Sequence, residues 1–405
     1  MEHHRYIILF LIGIMIGIPN VYAQRDFNLS YDQEYNNNPF RSPIPQESWV
    51  STFSFNVQKG FDDLFVGYYG NLSYFNSITE RNFYWHQLAL WGGSDTTSWG
   101  IYGEQRINKS EYNIYDYSTA TAFLRHRFFI RDFMLRWNGA FYLNQYKQLP
   151  ELNNWKFNTN VQVNRSFQTR TTIIGGFSYN YKSYLNSVAE EAYLEEPNLT
   201  LQNFAAASIV SSTFGNGRRR QLKGNGNGYL SNAAYVNFQT MTLSQISFWI
   251  RLAQSLTQTT GLAVQYQSSR LLSGSDRYVS GLTHHYSRES QIFDDPMGYQ
   301  SNSYGSELTQ ILPFSITLKL AAYYTSKDYT SQGIYLDEEN YDDTTFRRDI
   351  YRTAWLNLRK NMGINLRGGG QIVVYLYYQW IENQSNSYWY DYSNKATSIG
   401  IEFGF

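Results

Sequence analysis

The side chains best placed to do electrostatic work are Glu104, Arg106, Arg125, Arg127, Arg136, Lys156, Arg251, Lys319, Arg347, Asp349 and Glu402. Each falls opposite apolar neighbours where polar and apolar residues alternate, so they belong to one polar face. The set leans basic although the whole chain is neutral, with 33 Lys and Arg against 33 Asp and Glu. A second group, Arg218, Arg219, Arg220 and Lys223, sits among glycines in 214–228 and has the charge to touch phosphate or an anionic glycan. It lacks the GxxxxGK[ST] spacing of a nucleotide loop. Dense carboxylates occur at Glu190, Glu191, Glu195 and Glu196, and again at Asp337, Glu338, Glu339, Asp342 and Asp343. Neither run has the glycine and terminal glutamate of a calcium loop, so no metal site and no cofactor is expected.

Nucleophilic or hydrolytic chemistry finds little support. There is no cysteine, and beyond residue 23 the histidines are His86, His126, His284 and His285. His126 shares a face with Ala122, Leu124 and Phe128. His284 and His285 lie near Ser287, Asp294 and Asp295, but adjacent residues on an extended chain point to opposite sides. The chain is therefore read as a non-enzyme, with a lipid hydrolase or protease as the remote alternative. Zero net charge also argues against a nucleic-acid partner held by bulk electrostatics.

The elements that position these charges are strands. Trp155, Phe157, Val161 and Val163 oppose Lys156, Asn158, Asn160 and Gln162, and Phe133, Leu135, Trp137, Phe141 and Leu143 oppose Arg136, Asn138 and Asn144. Similar alternation covers 245–252 and 316–322. Such segments run to about ten residues or more, the length of a tilted strand that crosses a bilayer. Their polar faces are too polar to pack against one another as a sandwich would require. Tight connections are expected around Lys59-Gly60, Gly92-Gly93, Arg131-Asp132, Gln168-Thr169, Gln258-Thr259 and Pro313-Phe314. Long ones are expected around 185–197, 272–299, 328–343 and 384–392. The segment 214–228 is long where this register calls for a turn.

Composition agrees. Aromatic residues make up 18% of the chain, yet mean hydropathy is only −0.48. Rings in two interfacial girdles around a half-polar barrel account for both values. The start of the chain reads as a secretory signal over 1–23: His3, His4 and Arg5, an apolar run from Ile7 to Ile18, then Val21-Tyr22-Ala23 before Gln24. At the other end Ile399, Ile401, Phe403 and Phe405 share one face of a terminal strand. That pattern resembles the signal by which barrel-assembly machinery recognises its clients.

These readings converge on an all-β fold: a transmembrane, antiparallel, up-and-down β-barrel over 24–405, of about 18 strands with 16 as the alternative, integral to the outer membrane of a Gram-negative cell. A charge turned to lipid costs about 2 to 4 kcal/mol at the midplane, so the charged set is expected to face the lumen. Partners would be outer-membrane lipid and lipopolysaccharide.

The segments Arg347-Arg348-Asp349, Tyr375 to Trp380, Asn383-Gln384-Ser385-Asn386 and Tyr390-Asp391-Tyr392 resemble the C-terminal barrels of exopolysaccharide-export and surface-lipoprotein-assembly-modifier proteins. Tyr31 to Pro39 resembles the first barrel strand of the same group, and the Tyr- and Asn-rich style is similar to that of Bacteroidota. The resemblance implies a glycan or surface-lipoprotein partner. The residues alone point to a porin-like channel for small polar or anionic solutes, with a non-conducting assembly or export partner as the alternative.

Overall fold

The computed structural model describes residues 25–186, 219–222, 234–237, 242–274, 276–280, 286, 294–364 and 370–404. The first barrel half is β1 (Arg25–Asn36), β2 (Ser48–Phe61), β3 (Leu64–Phe75), β4 (Phe83–Gly93), β5 (Thr97–Asn108), β6 (Tyr117–Ile130), β7 (Phe133–Tyr146), β8 (Asn154–Ser166) and β9 (Thr171–Tyr184). Two short strands follow, β10 (Arg219–Leu222) and β11 (Ala234–Asn237), then β12 (Thr242–Ser255), β13 (Thr260–Gly274) and short β14 (Tyr278–Ser280). The chain returns through β15 (Tyr299–Leu312), β16 (Ile316–Tyr335), β17 (Tyr341–Ile364), β18 (Gly370–Ser385) and β19 (Tyr392–Gly404). All but β10, β11 and β14 form one closed antiparallel barrel of 16 strands, in which each strand pairs with its neighbour in sequence and β1 closes on β19. Closure leaves the barrel itself without an edge strand.

The strand number settles on 16 because 185–241 is one connection between β9 and β12. Within it β10 and β11 are four-residue strands, too short to cross a bilayer. They join β14 in a separate three-stranded sheet. Residues 185–197 and 214–228 thus belong to the same connection, which removes the register conflict in the alternation.

Connections alternate in length. At one end the turns are short: 62–63 between β2 and β3, 94–96 between β4 and β5, and 131–132 between β6 and β7. At the other end run 37–47, 185–241 and 275–298. The long connection expected over 328–343 is instead mostly strand. β16 and β17 continue as a hairpin to Tyr335 and Tyr341, with register shifts between Asp328 and Ile334, leaving only 336–340 as the turn. Gly93 enters the β4–β5 turn at φ 132°, where a Cβ would run into the Thr97 carbonyl, a conformation that favours glycine.

Alternation along each strand separates two surfaces. Phe53, Leu72, Ile101, Phe141, Val161, Phe248 and Ile399 are among the large apolar side chains exposed on the outer face. Whereas Arg352 and Glu382 pair on the outer face at 3.0 Å, the inner face carries Asn, Ser, Thr and Gln together with the charges singled out by alternation. This is the inverse of a water-soluble fold, where the apolar face is covered.

Register explains how aromatic rings fit beside the strands. Tyr375 on β18 stands opposite Gly400 on β19, which stands opposite Asp32 on β1. The absent side chain at Gly400 lets the Tyr375 ring lie across β19 and donate its hydroxyl to Asp32 Oδ2 at 2.9 Å.

Candidate functional site

The two ends of the lumen differ. At the end of the long connections the interior is packed. Phe40, Val50, Phe75, Ile78 and Phe83 form a buried cluster, with Trp85 and Tyr286 against it. Tyr286 belongs to 275–298, which leaves β13 and returns to β15, yet its ring meets Phe75 edge-on at 5.0 Å. Its carbonyl accepts from Arg106 Nη1 at 3.1 Å. In the order of the barrel, β3 to β5 lie across the ring from β13 and β15. Tyr286 therefore sits inside the barrel, against the wall opposite the strands that its connection joins.

Buried ion pairs hold the described ends of that connection. Lys182 Nζ lies 2.7 Å from Asp276 Oδ1 and 2.9 Å from Asp295 Oδ2, and the Tyr184 hydroxyl donates to Asp276. On the other flank Lys327 Nζ meets Asp294 Oδ2 at 2.7 Å, and Arg347 Nη2 stands 3.9 Å from Asp294 Oδ1. Adjacent aspartates thus bolt one segment to two walls, β9 and β16–β17. Gln245 Nε2 adds bonds to the Pro296 and Tyr299 carbonyls at 2.8 and 3.0 Å. Burial pushes the Asp276 carboxyl up to about 6 against the pull of Lys182. Burial acts the same way on Asp294 and Asp295. There Lys327 and Arg347 in one case, and Lys182 and Lys156 in the other, outweigh it and hold the carboxyls below the ordinary range.

At the short-turn end the lumen opens into a cavity of about 580 Å³. Its wall is built by β5 to β8: Tyr102, Thr121, Phe123, Arg125, Arg127, Arg136, Asn138, Tyr142, Asn158 and Asn160, with the β4–β5 turn at its rim. Arg125 stacks on Phe123 with its guanidinium carbon 4.6 Å from the ring centre. Asn138 and Asn160 are cross-strand partners, and Asn160 Nδ2 donates to Ser178 Oγ at 2.8 Å.

All of the charged residues singled out by alternation lie on inward positions of their strands, but they do three different things. Arg125, Arg127 and Arg136 line the open cavity. Arg251 and Glu307 form a pair at 3.4 Å, and Arg359 and Glu402 one at 3.0 Å. Lys156 lies over the Tyr142 ring at 4.7 Å. Lys319 is exposed, and Glu104 lies beside Arg106 on β5. Arg106 and Arg347 are each only 1% exposed. The guanidinium carbon of Arg106 sits 3.6 Å from the Phe83 ring centre. That of Arg347 sits 3.3 Å from Tyr390 and 4.1 Å from Tyr329, and its Nε donates to Asp349 Oδ1 at 2.9 Å. Both belong to the packed end of the interior.

Alternation missed Lys182 and Lys327, although each follows the inward period of its strand. It also missed the acids Asp32, Glu34 and Glu307, which face inward as well. The basic excess is therefore confined to one wall, β5 to β9, and is balanced elsewhere. Asp294 and Asp295 drew notice only as neighbours of His284 and His285, which lie outside the described residues; their carboxylates are taken up by lysines. His126 is on the outer face, with Nδ1 2.8 Å from Thr97 Oγ1.

Arg219 and Arg220 fall in β10, paired through the backbone with Asn237 and Val236; Arg218 and Lys223 lie outside the described residues, as do Glu190, Glu191, Glu195, Glu196 and residues 1–24. Asp337 caps its own hairpin turn by accepting from the Glu339 and Asn340 amides. Ile399, Ile401 and Phe403 occupy the outer face of β19, and Phe405 lies outside the described residues.

No protein-family model and no curated protein matches the chain. Among solved structures it is similar to a bacterial polysaccharide outer membrane secretin at 8% identity, with 95% of this chain and 99% of that one covered and a TM-score of 0.48. It is also similar to OccAB1 of Acinetobacter baumannii, at 9% identity over 94% of this chain and 96% of that one, TM-score 0.46. OccK3 (OpdO) of Pseudomonas aeruginosa gives 12% identity over 94% and 96%, TM-score 0.44. The fold assignment rests on this chain's own strand pairing.

Proposed function

We propose that this chain is an integral barrel of a Gram-negative outer membrane and works as a porin-like channel that prefers small anionic solutes. A closed barrel with an exposed apolar band and a polar interior satisfies every backbone group internally, the requirement for crossing hydrocarbon with strands. Lipid and lipopolysaccharide would contact the band. The observation that carries the preference for anions is the arginine-lined cavity at the short-turn mouth, where Arg125, Arg127 and Arg136 converge on open space. Rings of cationic side chains raise local anion concentration and exclude cations. A planar bilayer bathed in a salt gradient tests this. An anion-selective reversal potential is expected, and a cation-selective one counts against it.

A second reading has its own support. Tyr286 and the buried cluster around Phe75 and Phe83 pack the opposite end, as in a barrel that does not conduct and instead offers its outer connections to a glycan or surface lipoprotein. Absence of any unitary current from correctly folded protein would select this alternative.

A further inference from the structure

Arg127 on β6 and Arg136 on β7 are directly opposed cross-strand partners, and Arg125 lies two residues along on the same inward face. Opposed side chains have Cβ atoms about 4.5 to 5.5 Å apart, and like charges so placed repel. Among the described residues no carboxylate pairs with any of the three. Asp95, the acidic residue among the described residues lining the cavity, meets Arg127 through its backbone carbonyl. Three guanidiniums are thus gathered on a water-accessible cavity with no ion-paired carboxylate among the described residues, an arrangement that a bound anion would relieve.

We propose that this cavity binds the phosphate group of a small soluble phosphomonoester; the inference rests on reading the lumen as anion-preferring. A carboxylate has one charge and two oxygens, which a single arginine fork satisfies. A phosphomonoester carries about −1.5 to −2 charge at pH 7 and three terminal oxygens, enough to bridge opposed guanidiniums and still meet a third. Asn138, Asn158 and Asn160 beside them offer amide donors and acceptors to hydroxyl groups on the rest of the molecule. The 580 Å³ volume lies within the range of about 300 to 1,000 Å³ typical of small-molecule sites.

The test is calorimetric titration of the full chain, folded in detergent, with glycerol phosphate, acetate and a short-chain phosphatidic acid. Glycerol phosphate should bind at pH 7.5 at least tenfold more tightly than acetate, and more weakly at pH 5, where phosphate loses its second charge. Arg127→Gln and Arg136→Gln should each weaken it at least tenfold, whereas Lys395→Gln on the outer face should change nothing. If a glutamine variant fails to show the folded gel mobility, Arg136→Lys, which keeps the charge and removes the fork, should weaken binding several-fold. Equal binding of acetate, wild-type affinity in the arginine variants, or no binding at all overturns the proposal. Tighter binding of the phosphatidic acid assigns the site to a lipid headgroup and overturns it too. Reversal potentials are read separately. An anion-selective barrel that binds no glycerol phosphate sinks the site and spares the channel, while a cation-selective barrel that binds it through these arginines does the reverse.

Discussion

Lys182 on β9 and Asp295 in the β13–β15 connection are 113 residues apart in sequence and 2.9 Å apart at Nζ and Oδ2. Asp276 shares the same ammonium. One lysine is therefore shared by two carboxylates, and with Asp294 on Lys327 this ties the described ends of the connection to the barrel wall.

Replacing that lysine should be costly. In Lys182→Met two buried carboxylates, each with a side chain 6% exposed, lose the cation they share, and breaking a buried pair from one side costs about 3 to 5 kcal/mol. The folded form should convert to the unfolded band on a gel at a lower temperature than wild type. The triple variant Lys182→Met, Asp276→Asn, Asp295→Asn should recover part of the loss, because no unpaired charge remains. A triple variant as weak as the single one would sink this account.

Acid should act on the two aspartates beside Lys182 in opposite senses. Asp276 titrates at about 6 because burial raises it, so its protonated form is favoured in the folded barrel. Its contribution to stability is fully present below the ordinary carboxylate range and is lost as pH rises through about 6. Asp294 and Asp295 are held low; theirs is present at neutral pH and is lost as pH falls below the ordinary range. Thermal midpoints should accordingly rise from pH 7 to pH 5 and drop below pH 4. Asp276→Asn should flatten the upper limb and leave the lower one.

Much of this architecture was legible in the sequence. Period-2 alternation in 133–145 and 155–163 sets which side chains face inward, since successive side chains on a strand point to opposite faces. What alternation lacks is depth and enclosure. Arg106 and Arg136 carry the same signature, yet one is packed under Phe83 and Tyr286 and the other lines open space. The difference is made by a connection between distant strands, and no local period encodes that. For the same reason Asp294 and Asp295 look like ordinary loop carboxylates until Lys182 and Lys327 are brought beside them. The count is 16, the alternative that alternation left open, because the four-residue strands β10 and β11 within 185–241 are not part of the wall.

The seam where the barrel closes depends on the missing side chain at Gly400. A Cβ there would collide with the Tyr375 ring, which crosses β19 to reach Asp32. Gly400→Val should displace the ring, break that bond and loosen β1 from β19. Overpacking of this kind costs typically about 1 to 3 kcal/mol. Tyr375→Phe removes the hydrogen bond alone and should cost less, on the order of 1 kcal/mol. Urea denaturation of the barrel in vesicles compares the two.

Neighbouring positions on β16 test which face meets lipid. Leu320 is on the outer face, and Lys319 is inward and exposed. Leu320→Lys should destabilise the barrel in vesicles by about 2 to 4 kcal/mol if the residue sits near the bilayer midplane. Lys319→Leu should change it by no more than about 0.5 kcal/mol. Equal effects at the two positions would contradict the assignment of faces.

Arg347 and Arg136 should part company in the same pair of measurements. Both are inward cations, but Arg347 is 1% exposed, lies between Tyr390 and Tyr329, and donates to Asp349 and to Gln332 Oε1 at 2.6 Å. Arg347→Met strands Asp349 without its guanidinium, so it should lower stability by about 3 to 5 kcal/mol. The ion selectivity of whatever protein still folds should stay as in wild type, since the side chain meets no open lumen. Arg136 faces the cavity and has no ion pair among the described residues. Arg136→Ala should therefore leave the thermal midpoint nearly unchanged, or raise it slightly by relieving repulsion from Arg127, while moving the reversal potential toward cations. Were Arg347→Met to shift selectivity and Arg136→Ala only stability, the division of the lumen into a packed end and an open basic mouth would have to be reversed.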